Sequence, residues 1–179
     1  MQDKKYLFSK SLMNNGPSLL IYNISLRNLV VDLFSRYISD EVKNFLAISP
    51  FLDIFEKMLI KYKGKGVTII IDDLLKLLVL GHLLASSKHM LRNYLIIISD
   101  IDIIYRSSII NYNLSKCISW LNELLSLLNI YFKNSVILQP ISNKEYLYKS
   151  IYTKMLFKNV KNIIEISEEG ANILRSVYS

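Results

Sequence analysis

The chain has 179 residues, enough for one domain with a substantial core and too few for two of ordinary size. Half of it is apolar (51%), the single cysteine excludes an internal disulfide or a cysteine-built zinc centre, and the net charge is +7. That excess suits a polyanionic partner and says nothing about fold. The most apolar run, residues 74–85, contains Lys76 and His82 and falls short of the roughly 20 residues that span a bilayer. Residues 1–5 lead into no signal-peptide core, so a cytoplasmic protein without a membrane segment is expected.

Residues 1–17 are polar and end in the turn signal Asn14-Asn15-Gly16-Pro17. Residues 18–22 read as a buried strand and residues 29–37 as a helix, with apolar positions 29, 30, 33, 34 and 38. A strand, turn and helix is where a phosphate-binding loop belongs. Such a loop needs glycines so that backbone N–H groups can wrap the phosphates, a lysine to reach them, and Ser or Thr for magnesium. The connection here, Asn23-Ile24-Ser25-Leu26-Arg27-Asn28, has no glycine and is short.

A second strand is expected over 45–49, an amphipathic helix over 52–62, a turn at 63–66 and a third strand over 67–71. Asp72-Asp73 then imitates the aspartate that ends a nucleotide-binding strand. The alternative, favoured here, is that these carboxylates open the next helix, over 74–91, where they suit its N-terminal dipole. His82 and His89 lie seven residues apart without the neighbours a metal needs, and read as structural or surface histidines.

Residues 94–98 form a wholly apolar, β-branched run, the pattern of a strand buried on both faces. A long helix over 114–132 and a second run over 136–138, stopped by Gln139-Pro140, complete a right-handed parallel crossover. Loops at the carboxyl ends of such strands, around Asp100 and Gln139, are where these sheets carry sites. Residues 107–113 read as a short loop. The helix is expected to bury Leu114, Ile118, Leu121, Leu125 and Leu128, with Cys117 as a small apolar filler. Trp120 is open to two readings, an exposed anchor for a partner or a core-edge tryptophan.

Residues 143–161 hold Lys144, Lys149, Lys154, Lys158 and Lys161 against one acid, Glu145, interleaved with Tyr146, Tyr148 and Tyr152. Lysines neutralise phosphates and tyrosines stack on unpaired bases, a sequence-tolerant way to hold single strands. The competing reading is an edge hairpin of strands 153–157 and 162–166 with lysines as edge protection. A last strand is expected over 173–178.

The segment Leu95-Ile96-Ile97-Ile98-Ser99-Asp100-Ile101, followed by Tyr105-Arg106, resembles the central strand of RecA-like strand-exchange recombinases of the archaeal and eukaryotic type. In that family the strand reads Leu-Leu-Ile-Val-Asp-Ser-hydrophobic, with a Phe-Arg soon after. Gln139 falls near a family glutamine, and Phe8-Ser9-Lys10-Ser11 faintly matches the Phe-x-x-Ala tether between recombinase subunits. The resemblance implies one RecA-like α/β domain over residues 1–179. Its mostly parallel central sheet would be flanked by helices, with antiparallel strands at the C-terminal edge. It also implies a degenerate nucleotide site at Asn23, Ser25, Arg27, Asn28 and Ser99. Arg27 falls where the lysine would be, Asn28 where the Ser or Thr would be, and Ser99 where the magnesium-ordering aspartate would be. Ser49-Pro50-Phe51-Leu52 offers no water-activating glutamate. A shift of one residue would bring in Asp100, but alternation along a strand would turn it to the other side.

Three losses together imply a pseudo-ATPase without a cofactor, similar to the Shu-type recombinase-mediator subunits. It would act in a hetero-oligomer with a recombinase or mediator partner in recombination and repair. Arg106 and the lysine–tyrosine segment would contact DNA, single strands above all. Two alternatives stand beside it: an atypical NTPase using Arg27 with Asp72 or Asp100, and a scaffold from a motor or clock-type RecA-like branch with no DNA role.

Overall fold

The apolar runs become the strands of one sheet. The computed structural model describes residues 16–42, 44–51, 66–91, 94–142 and 151–176. Seven strands, β1 (Ser18–Asn23), β2 (Asn44–Ser49), β3 (Gly66–Ile70), β4 (Tyr94–Ser99), β5 (Ser135–Ile141), β6 (Asn162–Ser167) and β7 (Gly170–Ser176), lie in the order β3-β2-β4-β5-β1-β6-β7. Every pairing is parallel except the last, where β7 runs antiparallel to β6 at the edge. The expected mostly parallel sheet with an antiparallel C-terminal edge is what forms.

Five helices complete the described fold: α1 (Arg27–Glu41), α2 (Leu74–Ser86), α3 (Ile101–Asn111), α4 (Leu114–Tyr131) and α5 (Ile151–Asn159). The continuous apolar strands are explained by layers on both faces. Leu19, Ile21, Ile96, Ile98 and Ile137 point into a core closed by α2, α3, α4 and α5. Their neighbours Leu20, Tyr22, Leu95, Ile97, Val136 and Leu138 point into a second core, where Val30, Val31 and Phe34 of α1 pack. Each fully buried Leu or Ile contributes about 1.5–3 kcal/mol, so a polar residue on a central strand is costly on either face. At the β2–β3 pairing Gly66 lies beside Phe45, whose ring occupies the space a Cβ would need.

Two segments depart from expectation, for one reason. Residues 153–157 form part of α5 rather than a strand: Tyr152, Leu156 and Val160 are buried at spacings of four while Lys154 and Lys158 point out. Residues 107–111 extend α3 rather than forming a loop, because Ile101, Ile104, Tyr105 and Ser108 recur at helical spacing on its buried side. Ser108 Oγ donates to Ile104 O and accepts from Leu74 N at 2.7 Å, so it joins α3 to the start of α2.

Boundaries move elsewhere. Helix α1 begins at Arg27, α2 stops at Ser86 before a turn, and β7 starts at Gly170. On α4 the buried set is Cys117, Leu121, Leu124, Leu125 and Leu128, while Leu114 is exposed. The helix expected over 52–62, the tether-like Phe8–Ser11, and Lys144, Tyr146, Tyr148 and Lys149 lie outside the described residues.

Candidate functional site

Strand β1 ends at Asn23 and the chain turns at once. Asn23 Oδ1 accepts from Ser25 N at 3.0 Å and from Ser25 Oγ at 2.9 Å, closing a single 3-10 turn over Ile24–Leu26. A phosphate-wrapping loop presents its N–H groups outward to an anion. Here Ser25 N is turned inward on Asn23, and Ile24 is half-exposed at the tip. Asn28 follows, exposed, on the first turn of α1.

Arg27, the first residue of α1, reaches across the end of β5 to Asp100, with Nη2 3.4 Å from Oδ2. The Asp100 side chain is 2% exposed and that of Arg27 27%. Ser99 Oγ donates to the same carboxylate at 2.5 Å. Asp100 has φ 53 and ψ 36, left-handed backbone that aspartate tolerates better than most residues, and among the described non-glycine residues it is alone in having positive φ. Its N donates to Leu138 O at 3.2 Å, and its O accepts from Ile103 N and Ile104 N at the start of α3. The expectation that Asp100 faces away from the site is therefore wrong. Alternation holds only while the strand continues, and the left-handed residue ends β4 and brings the carboxylate to Arg27.

Beside this pair, Gln139 is buried near the end of β5. Its Nε2 donates to Pro140 O, and its Oε1 accepts from Tyr152 OH at 2.6 Å. The Tyr152 ring packs on Tyr105 with centroids 5.2 Å apart. Burial pushes the Tyr152 hydroxyl well above its ordinary value; Asp102, Asp100 and Tyr105 add to that, and Arg106 opposes it. Tyr152 is thus a neutral donor. At the end of β2, Ser49 Oγ accepts from Phe51 N, and Ser49-Pro50-Phe51 brings no carboxylate.

On the other side of β1 a cleft of about 230 Å3 opens, lined by Tyr22, Asn23, Ser25 and Leu26, by Ile141 and Ser142, and by residues 165–168 of β6 and its turn. Among the described residues its lining includes Glu165 and Glu168 and no lysine or arginine. Neither glutamate stood out in the sequence, because only the parallel β1–β6 pairing brings them beside Asn23.

The second carboxylate pair is elsewhere. Asp73 caps α2, its Oδ1 accepting from Leu75 N at 2.8 Å and Lys76 N at 3.1 Å, as expected. Asp72 is exposed and pairs with Lys76 at 2.9 Å. Four strand spacings, on the order of 19 Å, separate the ends of β3 and β1, so Asp72 cannot serve Arg27. His82 meets Glu123 across the exposed α2–α4 seam at 2.8 Å, and His89 is exposed. Trp120 is half-buried against the core, edge-on to Tyr112 at 4.9 Å. Among the described residues no three of His, Cys, Asp and Glu converge as a metal would require.

Of the basic residues, Arg106 is exposed on α3, and Lys154 and Lys158 share the outer side of α5. Lys161 lies at the opposite end of the sheet from Asp100, its N bonded to Pro17 O where β1 and β6 begin. Of the lysines expected to hold DNA, Lys154 and Lys158 thus lie one turn apart on α5 and Lys161 at the far end of the sheet, so these three do not gather at the carboxyl ends of the strands.

Solved structures of low sequence similarity share the fold. The ATPase EscN of the enteropathogenic E. coli type III secretion system superposes with a TM-score of 0.65 at 9% identity, over 87% of this chain. The KaiC-like protein PH0186 of Pyrococcus horikoshii does so at 0.59 and 12%, over 90% of this chain and 79% of its own. The fold is RecA-like. The flagellar accessory protein FlaH of Methanocaldococcus jannaschii also superposes, at 0.59 and 14%, over 94% of this chain and 84% of its own. This RecA-like chain spans 43% of the length of EscN. No family model matches the sequence, and no curated protein matches it significantly. Among the described residues no helix is long and apolar enough to cross a membrane.

Proposed function

We propose that this RecA-like chain is a non-catalytic subunit, a recombinase paralogue that acts in the cytoplasm beside a protein partner and contacts DNA. One observation carries the non-catalytic part: the group in the place of the phosphate-binding lysine, Arg27, is paired with a buried carboxylate of its own chain. The closed turn at Asn23 supports the same reading. Calorimetry with Mg-ATP, together with a hydrolysis assay, tests it. No saturable heat and no turnover are expected. A saturable response abolished by Arg27→Ala would instead favour the atypical NTPase, and turnover lost in the same variant would establish it.

Support for DNA comes from exposed Arg106 and from Lys154 and Lys158 on one side of α5. Fluorescence anisotropy with single-stranded DNA should show sequence-independent binding that weakens with salt, at a slope of about −0.7 per phosphate neutralised. Replacing Lys154 and Lys158 with Ala should then flatten the slope by about 1.4. The scaffold reading is favoured by the position of Lys161, remote from the strand ends, and by the named roles of EscN and FlaH, which concern secretion and flagella. An absence of DNA binding at low salt, alone and with the partner captured from the host, would select it.

A further inference from the structure

We propose that Asp100 is a built-in ligand for Arg27, a tethered anion that withholds the guanidinium from phosphates. The inference rests on the reading of a lost nucleotide site and adds what holds it shut. Arg27 stands at the first residue of a helix at the carboxyl ends of parallel strands, where a guanidinium ordinarily attracts oxyanions. Its Nη2 meets Oδ2 of Asp100, which is almost wholly removed from solvent. Three further features hold that carboxylate in place. The backbone of Asp100 is fixed from both sides, by Leu138 O on β5 and by the N–H groups of Ile103 and Ile104 on α3. Its left-handed φ turns the side chain off the strand. Ser99 supplies a second donor to the same oxygen. A free phosphate would have to displace a carboxylate that is covalently attached and already in position, against a high effective concentration. The charge pair thus does for this chain what an anion would do in an open site: it joins the start of α1 to the start of α3.

The test is thermal denaturation of the full chain with about 10 mM inorganic pyrophosphate against sodium chloride of matched ionic strength. The wild type should show no difference between the two salts. Asp100→Asn keeps the shape and removes the charge; its midpoint should rise by about 3 °C or more in pyrophosphate, the size expected for millimolar binding. The double variant Arg27→Met/Asp100→Asn should lose that response. An unresponsive Asp100→Asn, or a double variant that responds equally, overturns the proposal. If Asp100→Asn does not fold, the comparison moves to the double variant and Arg27→Met. A double variant that melts above Arg27→Met supports the pairing, because it no longer buries a lone charge, and one that melts at or below it sinks the idea. Binding of Mg-ATP by the wild type would overturn the reading of a lost nucleotide site itself, whereas failure in the variants alone would leave that reading standing.

Discussion

Two strand ends in this protein are nearly the same in sequence and opposite in use. Ile69-Ile70-Ile71-Asp72-Asp73-Leu74 closes β3, and Ile96-Ile97-Ile98-Ser99-Asp100-Ile101 closes β4; each then enters a helix. At the edge of the sheet Asp73 caps α2 and Asp72 sits in solvent with Lys76. Near the centre Asp100 is buried and paired with Arg27. The residue types do not decide between these outcomes. Position in the sheet does, because a central strand end is covered by its neighbours, and a carboxylate there needs a cation and donors to compensate for lost water.

The comparison breaks if the two ends respond alike to truncation. The largest effect is expected for Asp100→Ala, which takes the buried carboxylate away from Arg27. A loss of about 2–3 kcal/mol is expected in denaturant titrations, at or below the lower bound for breaking a fully buried pair because Arg27 is partly solvated.

Tyr152→Phe comes next, at about 1–3 kcal/mol, since Gln139 Oε1 loses its donor inside the protein. This variant carries a pH signature as well. The folded state holds the Tyr152 hydroxyl protonated above its ordinary value of 10.0, so its contribution is complete below that pH. It is lost as pH rises beyond, where the unfolded chain ionises first. The wild type should therefore lose stability above about pH 10 more steeply than Tyr152→Phe, as read from denaturation midpoints across alkaline pH.

Asp73→Ala should cost about 1 kcal/mol, the ordinary worth of an N-cap, seen as a lower midpoint in the same titrations. Smallest of all is Asp72→Ala, which should leave the midpoint unchanged, at low and high salt alike. A large effect at Asp72 would mean that the edge end has a role the structure does not give it.

The sheet was legible because its apolar runs are long, β-branched and uninterrupted, a pattern that burial on both faces imposes. The capping role of Asp73 was legible too, since N-caps are local. Residues 153–157 were misread because a short run with lysines fits either period, and only the four-residue spacing of Tyr152, Leu156 and Val160 identifies a helix. Asp100 was misjudged through one backbone angle. A single left-handed residue undoes the alternation rule, and nothing in Ser99-Asp100-Ile101 announces it. The Glu165–Glu168 side of the cleft depends on a pairing between strands far apart in the chain, which no local pattern encodes.

That pairing has a consequence for how the protein is made. Strand β1 lies between β5 and β6, so Ser18–Asn23 finds no partner in the sheet until residues 135–141 exist. At roughly 5–20 residues per second, the ribosome leaves one of the most apolar stretches of the chain waiting for about 6–24 s. Closure of the sheet is then a late, long-range event, slow by topology. During that interval Leu19, Leu20 and Ile21 are in the custody of whatever binds nascent apolar chains, and the yield of native protein should track chaperone supply more closely than the final stability would suggest.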